Sequence, residues 1–277
     1  DKAKHVVFIG LDGWGAYSLP KADMPNVKKL MEDGSYTLKK RSALPSSSAI
    51  NWASMFMGAG PELHGYTEWG SKTPELPSRV LNKNGIFPTV FQLLRDARPE
   101  AEIGCLYEWE GIKYLVDTLS LNYHYHVADC NKTPKELGNM ASAYIKEKHP
   151  ALVAICYDGP DHTGHTEGHD TPAYYEKLKE LDIYVGQIVQ AVKDAGILDD
   201  TIFILTSDHG GIDKGHGGKT MQEMETAFII SGKNIKKGLR FDDVSMMQYD
   251  VASTIASIFN LEQPQVWIGR PMKIVFK

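Results

Sequence analysis

The sequence predicts an α/β fold with a doubly wound, mostly parallel central sheet and helices on both faces. Short apolar runs that are typical of buried strands recur along the 277 residues. Amphipathic helical segments alternate with these runs, and the connections lack the signals of tight hairpins. The chain is 42% hydrophobic and 23% charged, which is enough to bury a full core. Because no shift in composition marks a boundary, we expect residues 1–277 to form a single domain.

The strands are predicted from uninterrupted apolar runs. The first run, HVVFIGL, is apolar almost throughout and is followed by Asp12 and Gly13. A later run, IFIL, is followed by a loop that is rich in glycine, aspartate and histidine. The predicted strands, in order, are 5–11, 36–42, 102–107, 123–128, 151–157, 202–205, 227–230 and 272–276.

The helices are predicted from apolar residues at helical spacing and from Pro, Ser or Gly at the helix ends. Pro25 opens the first helix and Gly34 closes it, and Ser48 lies at or near the start of the second. The predicted helices, in order, are 24–33, 49–57, 89–98, 134–148, 172–195 and 250–259. Residues 60–88 are loop-like, and we expect them to form a small lid or insertion rather than a linker.

The charge pattern argues against a nucleic-acid partner, and the short apolar runs argue against a membrane span. The net charge is −5, and the basic residues are scattered, with short runs at 39–41 and 233–237 that are typical of solvated surfaces. We therefore expect no groove for a nucleic-acid polymer. No apolar run reaches the roughly 18 residues that a membrane span needs, and the residues given contain no signal peptide.

The cysteines and one pair of histidines are other potential metal ligands, but their sequence pattern gives little indication of a metal site. Cys105, Cys130 and Cys156 cannot form a disulfide framework, and at most one pair could bridge. Cys105 and Cys156 lie in strand-like runs and are predicted to be small buried hydrophobes. His124 and His126 share one face of a predicted strand, which is typical either of a metal pair or, more commonly, of the polar face of an edge strand.

The side chains that carry chemistry cluster at the ends of predicted elements. Each has an ordinary explanation when taken alone, because Asp-Gly is typical of turns and serine of helix N-caps. Their joint appearance at successive strand ends favours two adjacent oxygen/nitrogen metal sites with a hydroxyl beside them. The set comprises Asp12, Ser48, Asp161, His165, Asp208, His209 and His216.

Five segments together identify a family. They are FIGLDG at 8–13, LPSSSAINWASMFMGAGPELHG at 44–65, DGPDHTGH at 158–165, SDHGG at 207–211 and GHGG at 215–218. The chain resembles the alkaline phosphatase superfamily over about residues 5–231, and within it the type I phosphodiesterase/nucleotide pyrophosphatase branch. The resemblance implies an alkaline phosphatase-like catalytic domain.

The resemblance also implies a site with two zinc ions. One zinc would be held by Asp161, His165 and His216, and the other by Asp12, Asp208 and His209 with the Ser48 oxygen beside it. The family's nucleophile is usually threonine, three residues before an asparagine that helps to bind phosphoryl oxygens, and here Ser48 and Asn51 match these positions.

Several neighbours of the implied site residues leave alternatives open. Ser46 and Ser47 are rival nucleophiles by composition, although only Ser48 has the right spacing to Asn51. Asp158 and His162 repeat the spacing of four that the implied ligands Asp161 and His165 have. The family pattern makes Asp158 a partner of the ligands rather than a ligand, and it leaves His64 and His169 as structural or supporting residues.

The implied activity is hydrolysis of a phosphoric ester through a covalent phosphoseryl intermediate on Ser48. The Ser48 motif contains no arginine to bind a dianionic phosphate, which favours a phosphodiester or nucleotide pyrophosphate over a monoester. A phosphomonoesterase, a phosphonate hydrolase and an inactive metal- or ligand-binding protein remain as alternatives. The substrate is expected to be a small molecule on which Tyr66 and Trp69 stack. The family suggests a periplasmic or secreted protein.

Overall fold

The computed structural model describes residues 1–127 and 134–277 of the chain. Its strands are β1 (His5–Asp12), β2 (Gly34–Arg41), β3 (Ile103–Tyr107), β4 (Tyr123–His126), β5 (Leu152–Pro160), β6 (Thr201–Thr206), β7 (Glu225–Gly232), β8 (Leu239–Arg240) and β9 (Met246–Met247). Its α-helices are α1 (Pro25–Glu32), α2 (Ser48–Met57), α3 (Pro61–His64), α4 (Val90–Ala97), α5 (Pro134–Lys148), α6 (Asp161–Glu167), α7 (Pro172–Asp194), α8 (Met221–Met224) and α9 (Asp250–Ile258).

The strands form one sheet in the order β4-β3-β5-β1-β6-β7-β2-β8, with β9 also paired to β2. β1 lies in the middle and pairs in parallel with β5 and β6. β7 is antiparallel to both β6 and β2. The chain returns from β6 to β7 at the same edge of the sheet through a loop and the single turn α8, so β7 must run backwards. The predicted mostly parallel sheet is confirmed.

Each face of the sheet carries a layer of helices. Along β1, Val6 and Phe8 join one apolar cluster, to which α2, α4 and α9 contribute. Val7 and Ile9 join the opposite cluster, to which α1, α5 and α7 contribute. Alternate residues of a strand point to opposite faces, so an apolar run such as β1 has to be covered on both sides. This explains why the predicted buried strands lack polar alternation.

Three predicted segments differ from the structure. Residues 60–88, predicted to be loop-like, include the short helix α3 at Pro61–His64. Residues 272–276, predicted to be a strand, contain a 3-10 turn at Lys273–Val275. The backbone N–H of Val275 donates to Met272 and that of Phe276 donates to Lys273, so these donors are bonded locally instead of in a sheet. The segment 158–165, predicted to be a loop after a strand, is the end of β5 followed by α6.

Two cysteines were predicted to be buried in strands, and residues 123–128 were predicted to form a strand at the edge of the sheet. Cys105 and Cys156 are buried free thiols, as predicted. The predicted strand at 123–128 is β4, which lies at one end of the strand order. Its last residue, Ala128, and the third cysteine, Cys130, lie outside the described residues.

The amino end of α1 is capped by a residue of α7. Met24 precedes α1 and gives no side-chain cap. Instead, Asp182, which is 1% exposed, accepts hydrogen bonds from the backbone N–H groups of Val27 (2.8 Å) and Asn26 (3.1 Å). A third bond, 3.0 Å long, comes from the Asn26 side-chain amide. The carboxylate therefore satisfies N–H groups that a helix cannot satisfy internally.

Replacing Asp182 with alanine is expected to lower the free energy of unfolding by about 2 kcal/mol, because buried donors lose their acceptor. Urea denaturation monitored by circular dichroism measures this change. Glu176→Ala, on the exposed side of the same helix, is the matched control and should leave the midpoint unchanged. Equal midpoints for both variants would show that Asp182 does not support α1.

Candidate active site

Ser48 is the first residue of α2 and follows the N-cap residue Ser47. Its Oγ lies 3.3 Å from Oδ2 of Asp12 and 3.2 Å from Nε2 of His209, and the residue borders a cavity of about 530 Å³. The hydroxyl of Ser46 is engaged elsewhere, since it donates to the Gly218 carbonyl oxygen. Of the serines at 46–48, Ser48 has its oxygen between a carboxylate and an imidazole.

The first group of potential metal ligands is built on α6. Asp161 and His165 are four residues apart on this helix, so their side chains share a face, and His165 Nε2 lies 3.0 Å from Asp161 Oδ2. His216, from the loop after β6, brings its Nε2 to 3.7 Å from the same oxygen. Ligand atoms of these three residues all lie within 4.8 Å of one another.

The second group lies at the carboxyl ends of β1 and β6. Asp12 is the last residue of β1, and Asp208 and His209 lie two and three residues after the end of β6. His209 Nε2 is 3.3 Å from Asp12 Oδ1 and 3.2 Å from Asp208 Oδ2. Neighbouring parallel strands end at the same edge of the sheet, which explains why residues about 200 positions apart meet here.

The two groups adjoin. Asp12, Asp161 and His209 also offer ligand atoms within 4.8 Å of one another, and the rings of His209 and His216 stack with centroids 3.7 Å apart. Gly13 permits this approach: its φ is +74°, and a Cβ there would lie 2.6 Å from the side chain of Asp161. Six side chains from four separate segments therefore meet beside the Ser48 oxygen.

Backbone carbonyls orient the three imidazoles. Nδ1 of His165 lies 2.9 Å from the Lys214 carbonyl oxygen, and Nδ1 of His216 lies 2.8 Å from that of Ser46. His209 makes the same contact with Gly210 at 2.6 Å. A carbonyl oxygen accepts only from a protonated nitrogen, so in the neutral imidazole Nε2 is left with a lone pair. This is the arrangement found in histidines that bind metals.

The electrostatics of the site also fit divalent cations. Burial, followed by the charge of Asp12, raises the pKa of Asp208 well above its usual value. Although burial lowers it, the charges of Asp208 and Asp12 raise the pKa of His209 to about 10. Oδ2 of Asp208 is buried and lies 3.2 Å from Nε2 of His209, but it accepts no hydrogen bond from the described residues. An orphaned carboxylate oxygen among crowded carboxylates and imidazoles fits bound cations that accept oxygen and nitrogen ligands, such as Zn²⁺.

Asn51, which was predicted to bind phosphoryl oxygens, is not among the residues that line the cavity. It is fully buried, and its Oδ1 accepts from the Ala43 N–H at 2.7 Å. Its Nδ2 lies within hydrogen-bond distance of the carbonyl oxygens of Ala43, Pro45 and Ser47. The contact with phosphoryl oxygens therefore stays a prediction, and in this structure the amide is bonded to the loop that leads into α2. Asn51 holds the loop that presents Ser48.

Tyr66 and Trp69, which were predicted to stack on the substrate, lie in different surroundings. Trp69 is 68% exposed and borders the cavity. Tyr66 is buried in the core, with its ring 5.6 Å from that of His64, so it is not available to stack on a substrate at the cavity. Sequence reasoning missed Trp109, which borders the cavity after β3. Its position just beyond a predicted strand end was the available signal. Asp158 and His162 border the cavity too.

His169 and His64 were predicted to be structural or supporting residues. His169 Nε2 lies 3.4 Å from Asp161 Oδ1, and its Nδ1 lies 3.0 Å from the Asp213 carbonyl oxygen, so it supports Asp161. His64 is buried against the hydroxyl of Ser54, and burial lowers its pKa to about 3. His64 therefore stays neutral and belongs to the core.

Glu108 is a buried carboxyl group near the site. It is 2% exposed, its Oε1 accepts the Asp158 N–H at 3.0 Å, and its Oε2 has no hydrogen-bond partner among the described residues. Burial raises its pKa from 4.5 to about 8, and the charge of Asp158 adds to this rise. Between these two values the native protein holds a proton that the unfolded chain has lost, so the stability from this group falls as pH rises.

Glu108→Gln is therefore expected to flatten the decline of unfolding stability between about pH 5 and pH 8, a decline limited to about 1.4 kcal/mol per pH unit for one proton. Urea denaturation at a series of pH values provides the slopes. Glu100→Gln removes an exposed carboxylate and should retain the slope of the parent protein. If Glu108→Gln retains that slope as well, Glu108 is ionised in the native protein.

Known proteins match most of this chain. The family model described as type I phosphodiesterase / nucleotide pyrophosphatase matches residues 6–232. A bis(5′-adenosyl)-triphosphatase from Mus musculus is 26% identical over 219 residues, which are 75% of this chain and 47% of that protein. GPI ethanolamine phosphate transferase 3 from Schizosaccharomyces pombe is 30% identical over 122 residues, 43% of this chain and 13% of the transferase. The chain spans half or less of the length of these relatives.

Solved structures share the fold. A murine ectonucleotide pyrophosphatase/phosphodiesterase 5, an inactive variant in complex with AMP, superposes with a TM-score of 0.74 at 14% identity, covering 94% of this chain and 96% of that one. A putative sulfatase from Bacteroides thetaiotaomicron superposes with a TM-score of 0.78 at 14% identity, covering 98% and 74%. At these identities the likeness concerns the fold alone.

Proposed function

The chain belongs to the type I phosphodiesterase/nucleotide pyrophosphatase family, and we propose that it is a two-zinc hydrolase of phosphodiesters or nucleotide pyrophosphates with Ser48 as its nucleophile. The observation that carries this proposal is the position of the Ser48 Oγ, 3.3 Å from Asp12 and 3.2 Å from His209, at the border of the cavity. A serine hydroxyl that only capped a helix would have no reason to face these two groups.

In the proposed reaction, Asp161, His165 and His216 would hold one zinc ion, and Asp12, Asp208 and His209 the other. Bound zinc ions would supply positive charge that lowers the pKa of a nearby hydroxyl and stabilises charge on phosphoryl oxygens. Ser48 Oγ forms a bond to phosphorus as the bond to the leaving oxygen breaks, and the proton that the hydroxyl loses ends on the leaving group. The product is a phosphoseryl group that keeps the second ester group of the substrate. Water then attacks this phosphorus and releases Ser48. The amino end of α2 favours the phosphoryl anion beside it.

The cavity favours a phosphodiester over a phosphomonoester. Among the described residues, neither lysine nor arginine borders it, whereas Asp158 adds negative charge. A dianionic monoester would lack a cationic side chain to match its second charge, while a diester carries a single charge. The relatives named for triphosphatase and pyrophosphatase activities support the same class of substrate. The alternatives are a phosphomonoesterase, a phosphonate hydrolase and an inactive metal-binding protein.

A substrate panel tests the proposal. With zinc present, bis(p-nitrophenyl) phosphate should have a kcat/KM at least about tenfold above that of p-nitrophenyl phosphate, which corresponds to about 1.4 kcal/mol of transition-state stabilisation. Dialysis against a chelator should abolish turnover and zinc should restore it. A higher kcat/KM for the monoester or for p-nitrophenyl phenylphosphonate would favour those alternatives. Bound zinc without any hydrolysis would reject the enzyme assignment.

Trp69 is proposed to stack on the base of a nucleotide substrate, as part of a substrate lid formed by residues 60–88. Stacking of a base on an aromatic ring contributes about 1–3 kcal/mol, so Trp69→Ala should raise KM for p-nitrophenyl thymidine 5′-phosphate at least about fivefold. Methyl p-nitrophenyl phosphate has no base, and its KM should not change. Leu81→Ala, another exposed position in the same segment, is the control. Equal effects on both substrates would argue against stacking.

The cellular location of the protein is also proposed from its family. A relative from Mus musculus is named an ectonucleotide pyrophosphatase/phosphodiesterase, and a periplasmic or secreted location would agree with this name. Across the described ranges, no helix is both long and apolar enough to cross a bilayer. The proposed substrates are small molecules rather than nucleic-acid polymers.

A further inference from the structure

A lysine lies fully buried beneath the site. Lys40 in β2 is 0% exposed, although lysine is rarely buried completely without a partner. The pairing of β2 with β7 shifts register between Thr37 and Lys40. Such an irregularity redirects the side chains that follow, and here Lys40 points inward between two exposed neighbours, Lys39 and Arg41. Burial disfavours the charged ammonium group and lowers the pKa of Lys40 to about 7.

The ammonium group of Lys40 contacts the segment that leads into Asp208 and the helix that begins at Ser48. Its Nζ donates to the carbonyl oxygen of Ser207 at 2.8 Å, one residue before the proposed ligand Asp208. It also lies 3.9 Å from Sδ of Met55, two turns after Ser48 on α2. A third contact is a short hydrogen bond to Oε1 of Gln248.

Gln248 continues this connection. It is fully buried, and its Nε2 donates to the Asp208 carbonyl oxygen at 2.5 Å and to Oδ1 of Asn51 at 3.3 Å. Asn51 in turn binds the backbone of the loop before Ser48. A continuous series of hydrogen bonds therefore joins Lys40 and Gln248 to the segment of Asp208 and to the loop that presents Ser48.

We infer that Lys40 and Gln248 are positioning residues that fix the Ser48 loop relative to the Asp208–His209 loop. The inference rests on the proposed function, because it assigns these loops to a nucleophile and to metal ligands. Apolar side chains of similar size would fill the same space without the cost of burying polar groups. Directional hydrogen bonds, unlike apolar packing, fix the separation and orientation of the two loops.

Zinc titration against a competing chelator tests the inference without an activity assay. In Lys40→Met, the zinc ion held by Asp12, Asp208 and His209 should lose about 10- to 100-fold in affinity, the range typical when a residue that orients ligands is lost. The ion at Asp161, His165 and His216 should keep its affinity. Lys39→Met, at the exposed neighbouring position, is the matched control and should bind both ions normally.

Kinetics and melting separate positioning from stability. The double variant Lys40→Met/Gln248→Met leaves neither side chain of the pair unpaired, but the buried carbonyl oxygens of Ser207 and Asp208 each lose a donor, so it should stay folded with a lower melting temperature. Its kcat for bis(p-nitrophenyl) phosphate should also fall about 10- to 100-fold with little change in KM. A merely structural pair would lower the melting temperature and leave kcat unchanged.

The inference is overturned if the folded variants bind both zinc ions normally and keep kcat within about threefold of the parent protein. Such a change is much smaller than the expected 10- to 100-fold loss. Should Lys40→Met not fold, Gln248→Glu provides the decision, because it keeps an acceptor for Lys40 and loses both Nε2 donors. Normal zinc affinity and kcat in Gln248→Glu would contradict the inference. If the parent protein binds two zinc ions but hydrolyses no ester, the proposed function fails, and the zinc affinities still decide this inference.

Discussion

Replacing Ser48 with alanine is expected to lower kcat for bis(p-nitrophenyl) phosphate by at least about 10⁴-fold, the scale of loss when a covalent nucleophile is removed. The Ser48 Oγ lies beside Asp12 and His209 at the cavity, and alanine leaves no atom there that can attack phosphorus. Both zinc ions should remain bound, because the carboxylates and imidazoles are unchanged. Turnover and zinc content measured on the same sample test both statements.

Two further variants distinguish the nucleophile from a general disturbance of the loop. Ser48→Thr retains a hydroxyl and should keep kcat within about tenfold of the parent protein. Ser47→Ala removes the neighbouring hydroxyl and should also have a small effect. Mass spectrometry of enzyme that is acid-quenched during turnover of bis(p-nitrophenyl) phosphate should find a p-nitrophenyl phosphoryl group on Ser48 and none in Ser48→Ala. Undiminished turnover in Ser48→Ala would reject Ser48 as the nucleophile, whatever the metal content.

The architecture of the sheet follows from local sequence. β1, β5 and β6 are apolar because both of their faces are covered, so the runs that form them are visible without a structure. Parallel strands end at a common edge, and Asp12 and Asp208 could therefore be expected to approach each other from sequence alone. The structure brings them together, with His209 between their carboxylates.

The path of the chain at α6 could not be read from local sequence. Asp158 and His162 have the same spacing as Asp161 and His165, and both pairs are compatible with a helix. β5 continues to Pro160, so the helix begins at Asp161, and this boundary determines which pair shares the inner face. The end of a strand depends on its neighbours in the sheet, here β1, which pairs with β5 as far as Pro160.

Side chains whose partners are distant in sequence were the least predictable. Asn51 matches a family position, but its amide is occupied by the backbone of the Ser48 loop. Lys40 appears in a basic run that is typical of a solvated surface, yet it is buried against Gln248, more than 200 residues away. Neither outcome has a local signal, because both depend on how segments pack after the sheet has formed.

Asp161→Asn is expected to release zinc from the site on α6 and to lower kcat by more than about 100-fold, the upper end of the loss seen when only a supporting residue is removed. Although burial raises it, hydrogen bonds from His165, His169 and His216 hold the pKa of Asp161 well below its usual value. The carboxylate is therefore ionised across the working pH range and supplies a full negative charge. Asparagine keeps the shape and removes that charge.

The loss should extend to both metal ions, because Asp161 also lies within 4.8 Å of ligand atoms of Asp12 and His209. Elemental analysis after gel filtration should find fewer than two zinc ions per chain. Asp170→Asn is a suitable control, since Asp170 forms an exposed ion pair with Lys21 and has a φ of +61°, which asparagine tolerates. Two bound zinc ions and normal turnover in Asp161→Asn would show that this carboxylate does not hold the metals. In that case the imidazoles of His165 and His216 and the carboxylate of Asp12 would have to supply the binding instead.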